Sequence, residues 1–389
     1  MDEQLERECN VAALAEHILR TQARAVTDDA PTALLPNVLT REQSKVLGTV
    51  LVAVIGDVLG ANTEFHSMRE IATTFGFVRN FLHSSRRPRG HYTDDGESTI
   101  ALLQAIVEDA AAFSDDFERI AVKAYTDAFM SLPRRGYGPT ASAILQRLAA
   151  GTTTPDKSGT LFFPTGSYAN GCLMRIGPLA VTAALQAMDA TEIDRAVLLA
   201  MRCTHANREA LQVCRAHVEL TQRLFALPAA PTSMAAMRDL VLDVAAAVSD
   251  EHFRGRLELW KAALPAALNV AETTSATEHA TLLAADHAFL STFVSPCEFG
   301  ELFAIRASEA FLVAGYCITL AAKVGPEEAL CRAVNWGGDA DTIACIAGSL
   351  LGVAFGVDWI PQRWLADLED RDKIVALSLQ LAEIGSRKP

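Results

Sequence analysis

The sequence predicts an all-α protein, and three observations carry that expectation. Nearly every segment of the 389-residue chain repeats its apolar residues at helical rather than alternating spacing. Alanine and leucine, both good helix formers, dominate those segments, and β-branched runs bounded by turns are scarce. Helix breakers fall between them: Pro133 with Gly136 and Gly138, then the stretch 151–159, then 228–231.

Along the chain, a helix-like stretch at 6–24 and a polar linker at 27–40, with Pro31 and Pro36, read as an appendage spanning residues 1–40. One large domain is expected over 41–389. Its predicted helices include 98–112, 117–129, 172–188, 191–202, 209–225 and 308–324. The longest apolar runs, 46–56 and 343–357, fall short of the roughly 20 residues that span a bilayer. Both abut aspartates, so they are expected to be buried helices. No internal repeat or low-complexity tract appears.

Composition narrows the function. Half of the residues are hydrophobic and 21% are charged, which excludes wholesale disorder. The formal net charge of −13 argues against a nucleic-acid backbone or an anionic membrane as partner, and is compatible with carboxylates clustered around cations. Eight dispersed cysteines without a CxxC pair predict reduced, buried thiols in a cytoplasmic compartment. The acidic start MDEQLEREC lacks the basic and apolar regions of an export signal.

Small polar residues and glycine concentrate at three places: GDVLGANTE (56–64), YTDD (92–95) and GGDADT (337–342). The last two each place two aspartates and a threonine at the first turn of an apolar helix. N-capping accounts for one aspartate in such a turn. Two aspartates within three residues repel each other unless a cation lies between them, and oxygen-only ligands suit Mg²⁺, Mn²⁺ or Ca²⁺. From the residues alone, capping and metal binding both remain open. The glycine-bounded turn 166–171 before a helix offers backbone N–H groups suited to phosphate, although such turns usually only connect helices. His205 in isolation reads as a structural histidine between helices.

In this order, GDVLGANTE (56–64), YTDD (92–95), RGYG (135–138), GSYANGCLMRIGPLA (166–180), THAN (204–207), SEAF (308–311) and NWGGDADTIACIAGSLLGVAFG (335–356) resemble the ADP-ribosylglycohydrolase family, also called ADP-ribosyl-acceptor hydrolases. The resemblance implies a single orthogonal helical domain with a two-Mg²⁺ centre in a central cleft, Mn²⁺ being an alternative. It implies Thr93, Asp94 and Asp95 as one half of the metal ligands and Asp339, Asp341 and Thr342 as the other. Glu64 takes the place of the acidic residue that ligates metal or acts as base near the reacting ribose. Gly166, Ser167, Tyr168 and Asn170 match the loop around the ADP-ribose phosphates and distal ribose, and Gly136 and His205 match further substrate contacts.

The implied activity is removal of ADP-ribose from a modified protein or an ADP-ribose-containing small molecule by a monomer. Hydroxyl acceptors on serine or threonine are favoured over arginine. A catalytically weak binding member and a magnesium-dependent phosphohydrolase are the alternatives. The sequence departs from the family at Gly96, where a threonine is usual, and Glu97 then adds a carboxylate near the site. An arginine acceptor would call for just such a free carboxylate.

Overall fold

The structure, a computed structural model, describes residues 34–385 apart from 37, 86, 110–112, 132–133, 268–275 and 297–302. The stretch 6–24, and with it Cys9, lies outside the described residues, as does Cys297. The first helices are α1 (Arg41–Gly60), α2 (Met68–Thr74), α3 (Asp94–Glu108), α4 (Phe117–Met130), α5 (Pro139–Ala149) and α6 (Pro155–Ser158). Next come α7 (Gly177–Gln186), α8 (Ala190–Met201), α9 (Arg208–Ala226), α10 (Met234–Ala245), α11 (Glu251–Ala267) and α12 (Ala276–Leu290). The chain continues with α13 (Ala307–Val324), α14 (Pro326–Asn335), α15 (Ala340–Phe355), α16 (Gln362–Asp367) and α17 (Arg371–Gly385). Among the described residues the only sheet is a two-stranded ribbon, β1 (His66–Ser67) against β2 (Gly337–Gly338).

The predicted helices are present with small shifts at their ends, and two differences matter. The helix expected from 98 starts at Asp94, so both aspartates sit inside its first turn. The stretch 172–188 is a short 3₁₀ turn, Asn170–Cys172, followed by α7, because Gly177 and Pro178 suit a helix start and not a helix interior. The end of the predicted linker is not free: Leu34, Leu35 and Leu39 pack against the core. Thr40 then caps α1 in a reciprocal capping box with Gln43.

At the centre, α1 and α15 are buried on all sides, α1 from Lys45 to Gly60 and α15 from Ala340 to Ala354. A helix apolar around its whole circumference belongs inside. The helices α1 and α13 are long and apolar enough to cross a membrane, and 89% of each apolar window is buried within the protein. What sets the spacing between α1 and α15 is glycine. A Cβ at Gly352 would lie 2.0 Å from the Gly48 carbonyl oxygen, and one at Gly56 2.1 Å from the Ala344 oxygen. The described cysteines, Cys172, Cys203, Cys214, Cys317, Cys331 and Cys345, are free thiols and buried.

A side chain at this contact has to force two backbones apart. Gly352→Leu is expected to lower unfolding free energy by about 3 kcal/mol in a denaturant titration. By contrast Gly255, on α11, has nothing within 4 Å of its added Cβ. Gly255→Ala is expected to be neutral or to stabilise by up to about 1 kcal/mol. Equal effects of the two substitutions would refute the close-contact account.

Candidate active site

Three chain segments deliver carboxylates to one end of the α1–α15 pair. The last turns of α1 bring Asp57, and Gly60 lets that end approach α15 so closely that a Cβ there would lie 2.4 Å from the Asp341 backbone. The start of α3 brings Thr93, Asp94 and Asp95, and the start of α15 brings Asp339, Asp341 and Thr342. Glu64 follows α1 on a turn pinned to the α15 side by Phe65 N–H donating to the Gly338 carbonyl at 2.7 Å. Gly337 makes that ribbon possible: its φ is 82°, and a Cβ would lie 2.6 Å from the His66 oxygen.

Capping does not explain the aspartates. The N-cap of α3 is Thr93, whose hydroxyl accepts from Asp95 N–H at 3.2 Å. Asp339 stands at the N-cap position of α15 yet makes no capping bond; its carboxylate accepts from Asn170 Nδ2 at 2.6 Å. Asp95 accepts from the hydroxyls of Thr93 at 2.8 Å and Thr342 at 2.9 Å. The two motifs are thus cross-linked through Asp95.

One oxygen each from Asp57, Asp95 and Asp341 lie within 4.8 Å of one another, and so do one each from Glu64, Asp339 and Asp341. Asp341 belongs to both groups. Asp94 belongs to neither, although it lines the adjoining cavity. Burial, then the neighbouring Asp95 charge, pushes Asp57 up to about 8 and Asp339 up to about 7. Burial raises Asp95 to about 6 against the pull of its two hydroxyl donors. The same two causes hold Asp94 and Asp341 well above the usual carboxylate range.

Asp57 accepts the backbone N–H of Thr93 and of Gly96 on Oδ2, each at 2.8 Å, while its buried Oδ1 has no partner. An oxygen-only donor set, crowded enough to resist ionisation and holding an orphaned carboxylate oxygen, fits a hard divalent cation. Arg87 supplies positive charge at the edge of the cluster, 3.0 Å from Glu64 and 3.6 Å from Asp341.

Beside the carboxylates lies a cavity of about 520 Å³, lined by Glu64, Asp94, Asp95, Asp339 and Thr342 on one side. Gly136, Ser167, Asn170, His205 and Arg175 are among the residues completing the wall. Thr93 and Asp341 sit behind it. Two of the predicted substrate contacts do not line it. Gly166 turns the chain at φ 80° with its Cα face against Asn207. Tyr168 is half exposed and carries the Arg306 guanidinium over its ring.

The surplus carboxylate expected at Glu97 is not free. It is buried and pairs with Arg135 at 3.4 Å, and Arg135 is held in turn by Glu369. Gly96 is also explained: a Cβ there would lie 2.7 Å from Asp57 Oδ2. The Tyr92 side chain crowds the same position, its Cβ also 2.7 Å away. Asp57, Arg87, Arg175 and Thr204 were not singled out from sequence. Asp57 carried a signal, as a carboxylate within the last turns of an apolar helix. Arg87 carried none.

A helical scaffold with a carboxylate cluster beside a cavity is a site that could hold a metal ion next to a bound ligand. Residues 39–389 match the ADP-ribosylglycohydrolase family, and the chain belongs to it. It is 22% identical to human ADP-ribosylhydrolase ARH3, over 88% of this chain and 94% of that protein. It is 26% identical to ADP-ribosyl-[dinitrogen reductase] glycohydrolase of Rhodospirillum rubrum, over 84% of this chain and 90% of that one. A solved structure described as an ADP-ribosylglycohydrolase-related protein complex has the same fold, with a TM-score of 0.60, 24% identity, and coverage of 90% of this chain and 100% of that one. The protein is therefore a hydrolase of the bond between ADP-ribose and an acceptor.

The buried charges fix a pH dependence. Between pH 6.5 and 8 the unfolded chain has already ionised its aspartates, while in the folded chain Asp339 and then Asp57 are only losing their protons. The folded state binds more protons, so stability falls as pH rises through this window. His205 and His217, both lowered to about 3 by burial, work in the opposite sense wherever the unfolded histidines still hold protons, so they offset part of the fall near pH 6.5 and little of it at pH 8. In chelator, Tm is expected to fall from pH 6.5 to 8, and Asp57→Asn to flatten the fall. Added Mg²⁺ should recover more Tm at pH 8 than at 6.5. A Tm that climbs across the window in chelator contradicts the arrangement.

Proposed function

We propose that the protein is a Mg²⁺-dependent hydrolase that releases ADP-ribose from serine or threonine hydroxyls of modified proteins. The observation that carries the reading is the cross-linked cluster of Asp57, Asp95, Asp339 and Asp341 opening on a cavity large enough for a nucleotide-sized ligand. Asp57, Asp95 and Asp341 on one side, and Glu64, Asp339 and Asp341 on the other, would hold the cations. Bound there, divalent cations supply Lewis-acid stabilisation of charge on ribose oxygens as the anomeric bond breaks.

The chain's own groups do the rest. Asp94 faces the cavity and orients the ribose hydroxyls. Glu64 takes the proton of the attacking water, and Arg87 at 3.0 Å holds its carboxylate in place. Accumulated negative charge beside the anomeric carbon favours an oxocarbenium-like transition state. The turn holding Ser167 and Asn170 meets the phosphates, and Asn170 also ties that turn to Asp339. The preference for a hydroxyl acceptor is supported by Glu97: that carboxylate is taken by Arg135 and does not line the cavity, so it offers no pairing partner to an acceptor guanidinium.

Asp95→Ala, Asp339→Ala and Asp341→Ala are each expected to lower turnover at least about a hundredfold, and chelator to do the same to the unaltered protein. Near-normal rates for two of the three in saturating Mg²⁺ would remove the cluster from the mechanism. Glu64→Gln is expected to bind ADP-ribose normally in calorimetry while single-turnover hydrolysis collapses. For the acceptor, matched peptides carrying ADP-ribose on Ser, Thr or Arg are compared by initial rate. Faster release from arginine than from both hydroxyls overturns the acceptor assignment and leaves the rest standing.

A further inference from the structure

On the wall of the cavity, Arg175 is 5% exposed and pairs with no carboxylate among the described residues. Its guanidinium lies over the Tyr125 ring at 4.5 Å, and its buried Nε has no hydrogen-bond partner. A buried guanidinium without a counter-ion is costly, so what it touches matters. Nη2 donates to the Thr204 hydroxyl at 2.6 Å, and Thr204 Oγ1 lies 2.9 Å from His205 Nδ1.

The proton positions follow from this chain of contacts. Arginine only donates, so Thr204 Oγ1 must accept from it. The single hydroxyl proton then has His205 Nδ1 at 2.9 Å, the Met201 carbonyl at 3.5 Å and the neighbouring Cys203 sulfur, a weak acceptor, as possible destinations. The shorter contact wins, because a bond at 3.5 Å is at the limit of the interaction. The guanidinium also polarises the hydroxyl, strengthening it as donor and weakening it as acceptor of a second N–H. Nδ1 is thereby the accepting nitrogen, and in a neutral ring Nε2 carries the proton. Burial, with help from the Arg175 charge, keeps the ring neutral. The Cε1–Nε2 edge lies against Gly171, where a Cβ would approach within 3.0 Å of the ring. Among the described residues no protein group bonds Nε2, and both His205 and Gly171 line the cavity.

We propose that Arg175 and Thr204 are positioning residues that lock His205 as the Nε2–H tautomer, making it an uncharged, obligatory donor to a proton-free substrate oxygen. The oxygen it selects is one that can only accept, such as a diphosphate oxygen of ADP-ribose, and the buried guanidinium behind it adds positive potential on the same wall. This rests on the reading of the cavity as the ADP-ribose site, but the tautomer is a property of the ligand-free protein and can be read without substrate.

The test is long-range ¹H–¹⁵N correlation of the histidine side chains, with the His205 signal identified by its loss in His205→Gln. The Nε2–H form is expected in the unaltered protein and in Thr204→Ser. Thr204→Val, which keeps the volume and loses the hydroxyl, is expected to give a mixture of tautomers and to weaken ADP-ribose binding about tenfold by calorimetry, with Thr204→Ser near normal. An Nδ1–H or doubly protonated ring in the unaltered protein overturns the proposal. So does Thr204→Val with either the tautomer or the affinity unchanged. If the unaltered protein shows the Nε2–H form yet binds no ADP-ribose, the lock stands and the assignment of the cavity falls.

Discussion

The contact between α1 and α15, backbone against backbone through Gly48, Gly56, Gly60, Gly348 and Gly352, sets the geometry on which the other features depend. Side chains of ordinary size between two helices hold their axes 8–10 Å apart. Here glycine removes that spacer, and the end of α1 comes to rest against the start of α15. Asp57 and Asp341 are brought together by this approach and not by any attraction between them. Once Asp57 is there, it draws in the amides of Thr93 and Gly96, and α3 is fixed with its own aspartates facing the same point.

Such a cluster works against folding. Four buried aspartates and the partly exposed Asp94, all with raised proton affinities, and a nearby glutamate represent free energy that the apolar interior has to offset. The offset is visible in how completely α1, α13 and α15 are covered and in the number of hydroxyl and amide donors given to Asp95, Asp339 and Asp57. A second buried network keeps the α15 entry in register. Asp286 accepts from Tyr316, Arg332 and the Trp336 indole, and Trp336 immediately precedes the loop that carries Asp339.

Much of this was legible in the sequence, for identifiable reasons. Helical spacing and breakers gave the element order, and the two apolar runs were read correctly as buried helices. The paired aspartates were recognisable because each pair lies within three residues, so local spacing suffices to expose the repulsion. Asp57 escaped because its significance comes from partners 36 and 39 residues away, Thr93 and Gly96. Glu97 was misjudged for the matching reason: its partner Arg135 lies 38 residues on, and proximity in sequence to the site says nothing about which way a side chain on α3 turns. The Arg175–Thr204–His205 chain spans 29 residues between its first two members and has no periodic signature at all.

Arg87 bears on the order of events in the life of the molecule. Its guanidinium bridges Glu64 and Asp341 and also donates to the Ala61 carbonyl, so part of the negative charge is balanced by the polypeptide itself. A centre with an internal counter-charge does not have to wait for an ion before the surrounding helices can close. For an ion bound at this cluster, synthesis and loading would be separable steps, and the ion would exchange with the surroundings without dismantling the interior. Occupancy of the centre would then follow the free-ion concentration around the protein and not the moment at which the chain was made.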